Sequence, residues 1–369
     1  MSRFNVGGTS QWLLQLSEGL SSSKIENFLI VGDCPAGETE DSRLTRIPHQ
    51  RLRGLGPKTS LKATINSFFA LRKFIKQYQP DLVNTHTSKA GVLGRLAAYT
   101  QSDRPTIVHT YHGHVLSGYF NPLFENLIRF IEVLMSKFTD YFMVSGEQVL
   151  SDIKKAKIIR KNNVISIWPA VPDITLEDRN KSRSELGIKE NEVVAGWLGR
   201  KVPIKRLDRI LELAVLNPSV KFVIAGDGES IYKSFVDHFR ASRLDNVIEL
   251  GFTSPSTLWS ISDICLLTSD NEAMPISPIE ASLAGKPVIG VDAGATKEVL
   301  MDGKTGILCQ RDVQEISRAL QTLVSDHELR KTLGRQAREF ALQRFSPQSS
   351  VQRQIEGYEL ALKYRSGRN

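Results

Sequence analysis

The sequence has few cysteines and no long apolar run. Its three cysteines, Cys34, Cys265 and Cys309, lie far apart and form no CxxC pair, which argues against a disulfide framework or a zinc ribbon. We expect them to be small buried hydrophobic residues. No apolar run reaches the roughly 18 residues that a membrane-spanning helix needs, and the first residues lack the pattern of a signal peptide. We therefore expect a cytoplasmic protein.

Several common ligand-binding motifs are also missing. No two aspartates have the DxD spacing that often holds a divalent cation. The segment 226–231 ends in isoleucine where a dinucleotide fingerprint needs glycine or alanine, and Gly303-Lys304-Thr305 has Glu298 where a phosphate loop needs its first glycine. We accordingly predict no resident cofactor, and neither an NAD site nor a Walker-type site.

Positive charge is in excess, and the excess is uneven. The 369 residues include 48 Lys and Arg against 40 Asp and Glu, a net charge of +8. Residues 1–172 hold 21 basic and 13 acidic residues, whereas residues 173–369 hold 27 of each. A basic half suits nucleic acid, an anionic membrane surface or an anionic small substrate. Improved solubility explains the charge equally well at this point.

The length predicts two domains, and the apolar pattern predicts their class. Short runs rich in Val, Ile and Phe alternate with stretches of helical periodicity, which is typical of parallel α/β proteins. Strands are predicted at residues 28–31, 82–86, 106–110, 141–145 and 164–168, then at 193–198, 222–225, 247–250, 264–268, 288–291 and 306–309. We predict one domain over 1–172, a second over 173–346, and a helix over 347–369 that packs back on the first.

The beginning of the chain departs from this pattern. Residues 5–9 look like a loop that leads into a helix over 11–19. A strand should precede such a loop in a doubly wound domain, and here that strand is missing or very short. We expect either a misassigned start codon or a truncated first domain.

Two glutamates after the predicted strand 264–268 form the strongest constellation. Ser277 is predicted to cap a helix, with Pro278 at its first position and Glu280 at its third, as in a capping box. Such a helix start binds anions. Prolines keep Glu272 in the loop, so the two carboxylates can contact different parts of one ligand. Taken alone, Glu280 is more simply explained as a helix cap.

A basic segment follows the predicted strand 193–198. Within residues 199–206, Arg200 offers a planar fork for phosphate and Lys205 a mobile point charge, a combination that suits a diphosphate. A solvated basic helix start is the alternative. The position at the carboxyl end of a strand favours ligand binding.

Three histidines follow the predicted strand 106–110. A metal site at His109, His112 and His114 is disfavoured, because no carboxylate or cysteine lies near them in the sequence and a strand that ends in a loop separates their side chains. We predict no metal site. His112 is favoured for hydrogen bonding in a cleft, since Gly113 allows a ligand to approach the backbone closely.

Two stretches, 61–79 and 119–141, are amphipathic. Such helices can lie at a membrane interface. A helix with one face in the core and one in solvent is the commoner meaning, and we favour it for 61–79.

In combination these features resemble the bacterial family four glycosyltransferases over nearly the whole chain. The resemblance is carried by Glu272…Glu280, Gly199-Arg200…Lys205, Asn5-Val6-Gly7-Gly8 and the run Asn84–Gly91. It implies the GT-B fold, in which two Rossmann-like, doubly wound α/β domains face each other across a cleft.

The resemblance also implies residue roles. In similar enzymes the counterpart of Glu280 holds the ribose of a nucleotide sugar and that of Glu272 contacts the donor sugar. Arg200 and Lys205 would bind the diphosphate and neutralise the leaving group, so that no metal is needed. His112 would touch the donor sugar near the reacting carbon. The other donor-binding positions implied are Gly7, Gly8, Gly226, Met274, Pro275, Ile276 and Ser277. Ala273-Met274-Pro275 departs from the glycine-richer loop of relatives, which weakens the case for amide contacts there.

These implications lead to a functional prediction. We expect a retaining, metal-independent hexosyl- or N-acetylhexosaminyltransferase that moves a sugar from a nucleotide sugar, a UDP-sugar, to a surface polysaccharide or lipid-linked glycan. A GT-B nucleotide-sugar 2-epimerase, an inactive truncated homologue and a basic binding protein are the alternatives. The charge of the first half then fits an anionic membrane surface, with peripheral binding at its inner face. Nucleic acid is not expected as a partner, because the sequence carries no recognised nucleic-acid motif.

Overall fold

The structure is a computed structural model that describes residues 1–57, 59–113, 122–159, 161–226 and 244–367. The chain forms two units. Residues 1–170 and the C-terminal segment from Pro347 make up the first, and Val171–Ser346 make up the second.

The first unit contains two parallel sheets. Its strands are β1 (Leu29–Val31), β2 (His49–Arg51), β3 (Leu82–His86), β4 (Thr106–Tyr111), β5 (Tyr141–Ser145) and β6 (Val164–Ile167). β1 pairs with β2, and β3 to β6 form a four-stranded sheet in sequence order. β4 and β5 are buried along their whole length, as expected for parallel strands covered by helices on both faces.

Six helices of the first unit are described. They are α1 (Gly8–Ser22), α2 (Leu61–Tyr78), α3 (Ser88–Tyr99), α4 (Pro122–Met135), α5 (Glu147–Lys155) and α13 (Pro347–Ser366). α13 packs against α1, and its Val351 and Ala361 share a core with Trp12, Leu16 and Met143. α2 buries Leu71 and Ile75, so the prediction that one of its faces packs in the core is confirmed.

No strand precedes α1 in the part of the chain that the structure describes. The first residues instead bridge β1 and the end of β3. The Met1 carbonyl accepts a hydrogen bond from Gly32 N (3.1 Å), and Ser2 N donates to Thr87 Oγ1 (3.1 Å). Asn5 forms an isolated bridge with Glu40.

The second unit is built on one six-stranded parallel sheet. Its strands are β7 (Val194–Leu198), β8 (Lys221–Ala225), β9 (Val247–Gly251), β10 (Ile264–Leu267), β11 (Val288–Val291) and β12 (Gly306–Cys309), in the order β12-β11-β10-β7-β8-β9. This is the doubly wound Rossmann order, whose direction reverses between β7 and β10. Ligands of such sheets bind at that reversal, beyond the carboxyl ends of the strands.

Helices cover both faces of this sheet. The helices described in the second unit are α6 (Arg179–Glu185), α7 (Leu207–Leu216), α8 (Pro255–Ile261), α9 (Ile276–Leu283), α10 (Thr296–Val299), α11 (Val313–Ser325) and α12 (His327–Phe345). Two apolar clusters result, one around Trp197, Phe222 and Leu320 and the other around Trp259, Leu258 and Val223.

All eleven predicted strands are present, and their ends differ from the prediction by at most one residue. β2 was not predicted, because its residues are polar and mostly exposed. Cys265 and Cys309 are buried as expected, whereas the prediction for Cys34 is wrong, since it is only half-buried. None of the helices in the described ranges is long and apolar enough to cross a membrane.

Candidate active site

Two loops at the sheet reversal of the second unit are joined by hydrogen bonds. One follows β7 and the other follows β10. Asp270 N donates to the Ile204 carbonyl (2.9 Å), and Thr268 Oγ1 donates to the Lys205 carbonyl (2.9 Å). Arg206 reinforces the join through an ion pair with Asp270 (2.9 Å). The loops therefore hold each other in place at the edge where ligands of such sheets bind.

Glu272 and Lys205 meet between these loops. Lys205 Nζ donates to Glu272 Oε1 (2.5 Å), and Ser269 Oγ donates to the same oxygen (2.6 Å). Glu272 is buried, with 8% of its surface exposed. Ala295 N donates to the Glu272 carbonyl (2.8 Å), which fixes the main chain from the neighbouring loop after β11. Charge-assisted bonds of this length are strong and directional.

Gly294 shows how closely the loop after β11 approaches Glu272. Its φ is +55°, and a Cβ atom there would lie 2.1 Å from the Glu272 carbonyl oxygen. Only glycine combines this backbone conformation with such an approach.

The capping box predicted at Ser277 is wrong. α9 begins two residues earlier than predicted, at Ile276, and its N-cap is Pro275, which makes no side-chain capping bond. Pro278 occupies the third helical position. It is tolerated there because the first four helical N–H groups have no intrahelical acceptor. The start of α9 thus carries backbone N–H groups at Ile276 and Ser277 that no N-cap side chain covers.

Glu280 is the fifth residue of α9 and not the third. It is 6% exposed and faces β10. Burial, and secondarily the charge of Glu280, raises the pKa of Cys265. Glu272 therefore lies in the loop and Glu280 lies in the helix, so the two carboxylates occupy different places, as their spacing predicted.

Two glycines bring the ends of β7 and β8 together. Gly226 has a φ of +118°, and a Cβ atom there would lie 2.1 Å from the Gly199 carbonyl oxygen. Gly199 N donates to the Ala225 carbonyl (3.1 Å), and Gly226 N donates to the Gly251 carbonyl (2.7 Å). Arg200 follows directly and is exposed. The rest of the segment 226–231 lies outside the described residues.

In the first unit, the glycine loop contributes the start of α1. Gly7 is the N-cap and makes no side-chain capping bond, and Gly8 is the first helical residue. Gln11 N donates to the Gly7 carbonyl (3.1 Å). The helix predicted over 11–19 is confirmed and extends further at both ends, so Gly8 belongs to the helix and not to the loop.

His112 lies against two other side chains of the first unit. Its Nε2 is 2.8 Å from His86 Nδ1, and the Trp12 ring meets it edge-on with 4.7 Å between ring centroids. Burial lowers the pKa of His112 to about 3. Burial and the neighbouring His112 hold the pKa of His86 well below 6.5. Both rings are therefore neutral near pH 7.

The other two histidines of the motif do not join this pair as metal ligands. His109 is buried, and its Nδ1 is 2.8 Å from Thr85 Oγ1. His114 lies outside the described residues. Across the ranges that the structure describes, no three His, Cys, Asp or Glu side chains are grouped to hold a metal ion.

Several residues of these arrangements had no role predicted from the sequence. Ser269 and Asp270 lie two and three residues after the end of β10, so the rule that ligands bind at strand ends could have singled them out. His86 is the last residue of β3, so the same rule applies to it. Trp12 carries no comparable signal, because its contact with His112 depends on how α1 packs beside β4.

Comparison with known families identifies the family of this chain. Residues 6–173 match the model of Glycosyltransferase Family 4, and residues 178–340 match that of Glycosyl transferases group 1. This chain belongs to the family 4 glycosyltransferases. The prediction made from the motifs is confirmed.

Individual relatives of this glycosyltransferase agree. It is 28% identical over 291 residues to the UDP-Gal:α-D-GlcNAc-diphosphoundecaprenol α-1,3-galactosyltransferase of Escherichia coli, with 73% of each chain covered. It is 25% identical over 334 residues to the capsular polysaccharide biosynthesis glycosyltransferase CapM of Staphylococcus aureus, with 84% of this chain and 86% of the other covered.

A solved structure confirms the GT-B fold of the glycosyltransferase, with its two Rossmann-like domains. The crystal structure of HepE from Anabaena in complex with UDP and glucose superimposes with a TM-score of 0.81 at 22% identity. The match covers 97% of this chain and 98% of that one.

The close approach at Gly226 makes a stability prediction. Gly226→Ala should lower the free energy of unfolding of the glycosyltransferase by about 2 kcal/mol or more, since it adds a clash to an unfavourable φ. Gly187→Ala is the matched control, because Gly187 also has a positive φ (+68°) but nothing lies within 4 Å of its Cβ position. Urea unfolding measures both, and equal losses would contradict the role given to the clash.

The buried histidines predict a pH dependence. Their pKa values are lower in the folded protein than in the unfolded chain, so the unfolded state binds more protons below pH 6.5 and stability falls as the pH falls from there toward 3. His112→Gln should reduce this slope by about 1 kcal/mol per pH unit below pH 6. Urea unfolding between pH 7 and pH 5 measures it, with His327→Gln, at an exposed histidine, as the control. Identical slopes in wild type and His112→Gln would refute the assignment.

Proposed function

We propose that this glycosyltransferase is metal-independent and retaining, and that it transfers a hexosyl or N-acetylhexosaminyl group from a UDP-sugar to a surface-polysaccharide or lipid-linked glycan acceptor. The observation that carries the donor assignment is the Lys205–Glu272 pair, which lies at the sheet reversal beside the start of α9. A cation, a carboxylate and uncapped amides at one strand end suit a ligand with both phosphate and hydroxyl groups.

The donor diphosphate is assigned to the cations and amides. Lys205 is bonded to Glu272 in the free protein, and a diphosphate would compete for its ammonium group. The Glu272 carboxylate would then accept hydrogen bonds from hydroxyls of the donor sugar. Exposed Arg200 and the amides of Ile276 and Ser277 would add donors to the phosphates.

The remaining donor contacts are proposed from the family pattern. Glu280 would hold the ribose, the backbone at Gly7, Gly8, Gly226, Met274 and Pro275 would approach the donor closely, and His112 would touch the donor sugar. The cations supply charge stabilisation where negative charge grows on the leaving UDP.

Retention is proposed to follow from attack on the face that the leaving group departs from. The bond between the anomeric carbon and the phosphate oxygen breaks, and the acceptor oxygen bonds to that carbon on the same face. The acceptor hydroxyl's proton passes to an oxygen of the leaving phosphate, so the chain itself need not supply a nucleophile.

The names of the relatives support the donor and acceptor classes. HepE was solved with UDP and glucose, and the Escherichia coli relative is named for UDP-Gal and a diphosphoundecaprenol acceptor. CapM is named for capsular polysaccharide biosynthesis. HepE and the Escherichia coli relative support a donor that carries UDP. The Escherichia coli relative and CapM support a lipid-linked or polysaccharide acceptor.

A ligand panel tests the donor proposal. UDP and UDP-sugars should raise the melting temperature, since ligand at 100 times its Kd stabilises the fold by about 2.7 kcal/mol, whereas ADP and GDP should act more weakly. Lys205→Ala should weaken UDP binding roughly ten- to hundred-fold, because a hydrogen bond to a charged group is worth about 1.5–3 kcal/mol. Lys221→Ala, at the amino end of β8 in the same sheet, is the matched control. No response to any nucleoside diphosphate would count against the proposal.

Incubation with a UDP-sugar distinguishes transfer from epimerisation. Incubation with the UDP-sugar alone should leave the sugar unchanged, and transfer should require an acceptor. An isomerised sugar formed without acceptor would instead identify a nucleotide-sugar 2-epimerase.

We further propose that an anionic membrane surface is a partner of the first unit. Three exposed apolar residues lie on one face of α2 at intervals of four: Leu61, Ile65 and Phe69. Exposed lysines flank them at Lys62, Lys73 and Lys76, and α2 has no acidic residue. Leu123 and Phe130 of α4, in the same unit, are also exposed. Apolar residues edged with lysine are typical of surfaces that lie on anionic lipid.

Charge reversal on α2 tests this partner. Lys73→Glu with Lys76→Glu should weaken binding to phosphatidylglycerol-containing vesicles at least thirty-fold, because each lysine near an anionic surface contributes about 1 kcal/mol. Lys154→Glu with Lys155→Glu, exposed on α5 of the same unit, makes the same change in net charge elsewhere. Co-sedimentation at low and high salt measures both. Vesicle binding that ignores anionic lipid and salt, or equal losses in both variants, would rule the surface out.

A further inference from the structure

Two histidines from neighbouring strands meet in the first unit. His86 is the last residue of β3, and its register partner on β4 is Thr110. His112 follows β4 by one residue, so its ring comes to lie over that of His86, with 5.0 Å between centroids and 27° between planes. The 2.8 Å contact between His86 Nδ1 and His112 Nε2 is a hydrogen bond between two side chains 26 residues apart.

Trp12 encloses the His112 ring from another side. It comes from α1, the helix that the Gly7-Gly8 segment begins, and it meets the His112 ring at 81°. Trp12 is itself buried. His86 and Trp12 together leave the imidazole of His112 little freedom to turn.

The contacts with His86 and Trp12 do not involve the second ring nitrogen of His112. Its Nδ1 is buried and has no hydrogen-bond partner among the residues that the structure describes. Leaving a buried polar atom unpaired costs free energy, so an unpaired ring nitrogen calls for an explanation. A ligand hydroxyl that reaches Nδ1 would supply the missing partner.

The protonation state of the two rings determines which nitrogen can donate and which can accept a hydrogen bond. Among the described residues, the titratable groups that act on the pair are His109 and the amino group of Met1, and neither is an anion that would favour an imidazolium. Both rings are thus neutral near pH 7. A neutral imidazole has one donor and one acceptor nitrogen. The bond at Nε2 therefore decides whether Nδ1 of His112 carries a proton or a lone pair.

We propose that His86 is a positioning residue for His112. Its hydrogen bond to Nε2 holds the His112 imidazole in one tautomer and one orientation, with Nδ1 as the nitrogen that meets a hydroxyl of the donor sugar. The inference rests on the proposed function, in which His112 contacts that sugar. His86 itself touches no substrate.

The first test is spectroscopic and needs neither donor nor turnover. Nitrogen NMR of the whole protein labelled with ¹⁵N-histidine reports the tautomer of each ring. Wild type should show His112 in a single tautomer. His86→Phe, which keeps an aromatic ring against His112 but removes the nitrogen, should show both tautomers. His86→Asn, which places an amide near the position of Nδ1, should restore one.

His109→Phe is the matched control. It also replaces a buried histidine of this sheet and breaks a 2.8 Å hydrogen bond, that to Thr85, but it leaves the bond between His86 and His112 intact. It should lower the melting temperature about as much as His86→Phe and leave the His112 tautomer unchanged.

Kinetics with a UDP-sugar and acceptor provide the second test. His86→Phe should lower kcat about ten-fold, the factor that corresponds to about 1.4 kcal/mol, with a smaller change in KM. His86→Asn should recover part of the loss, and His109→Phe should keep kcat within about two-fold of wild type, since it removes no contact to the reacting groups.

The outcomes separate the two proposals. A wild-type His112 that averages between tautomers, or one that keeps its single tautomer in His86→Phe, overturns the role of His86. Absence of turnover with every UDP-sugar in wild type overturns the proposed function, while the NMR result still decides whether His86 orients His112. If His86→Phe fails to fold, the wild-type spectrum and His86→Asn decide.

Discussion

The hydrogen bonds that join the loops after β7 and β10 are the constraint on which the site of the second unit depends. β7 and β10 are adjacent in space but separated in sequence by two strands, and their loops leave the sheet at the point where its winding reverses. Asp270 is bonded through both its backbone and its carboxylate to the β7 loop. Without this join, Lys205 and Glu272 would sit on independent loops, and their approach would cost conformational entropy each time a ligand bound.

The same join explains why ionisable groups can be concentrated there. Glu272 is nearly buried, and a carboxylate in such a place needs hydrogen bonds or a counter-charge. Lys205 supplies the charge, Ser269 supplies a neutral donor, and the main chain of Glu272 is fixed by Ala295 from a third loop. In the free protein the Glu272 carboxylate therefore has hydrogen-bond partners, Lys205 and Ser269. Both side chains can leave it to bind a ligand instead.

Much of this could be predicted from the sequence, for identifiable reasons. Strands buried on both faces appear as short apolar runs, so β5 and β11 were located to the residue. The glycosyltransferase motifs lie at strand ends, as the doubly wound topology requires. β2 was missed because it is polar. The capping box failed because the helix start depends on the backbone angles of Pro275, which the order of Ser277, Pro278 and Glu280 does not reveal. The contact of His86 with His112 depends on the register of β3 against β4, which no local pattern encodes.

The path of the chain has a consequence for synthesis on the ribosome. The second unit is continuous in sequence, and the chain enters and leaves it at adjacent points, since Val171 N donates to the Phe345 carbonyl (2.9 Å). The first unit is interrupted, and its core includes Val351 and Ala361 of α13. All residues of the second unit have therefore been translated before the first unit can complete its core. The second unit can therefore complete its core while the first still lacks α13, and the part of α1 that packs on α13 stays uncovered until that helix has been translated.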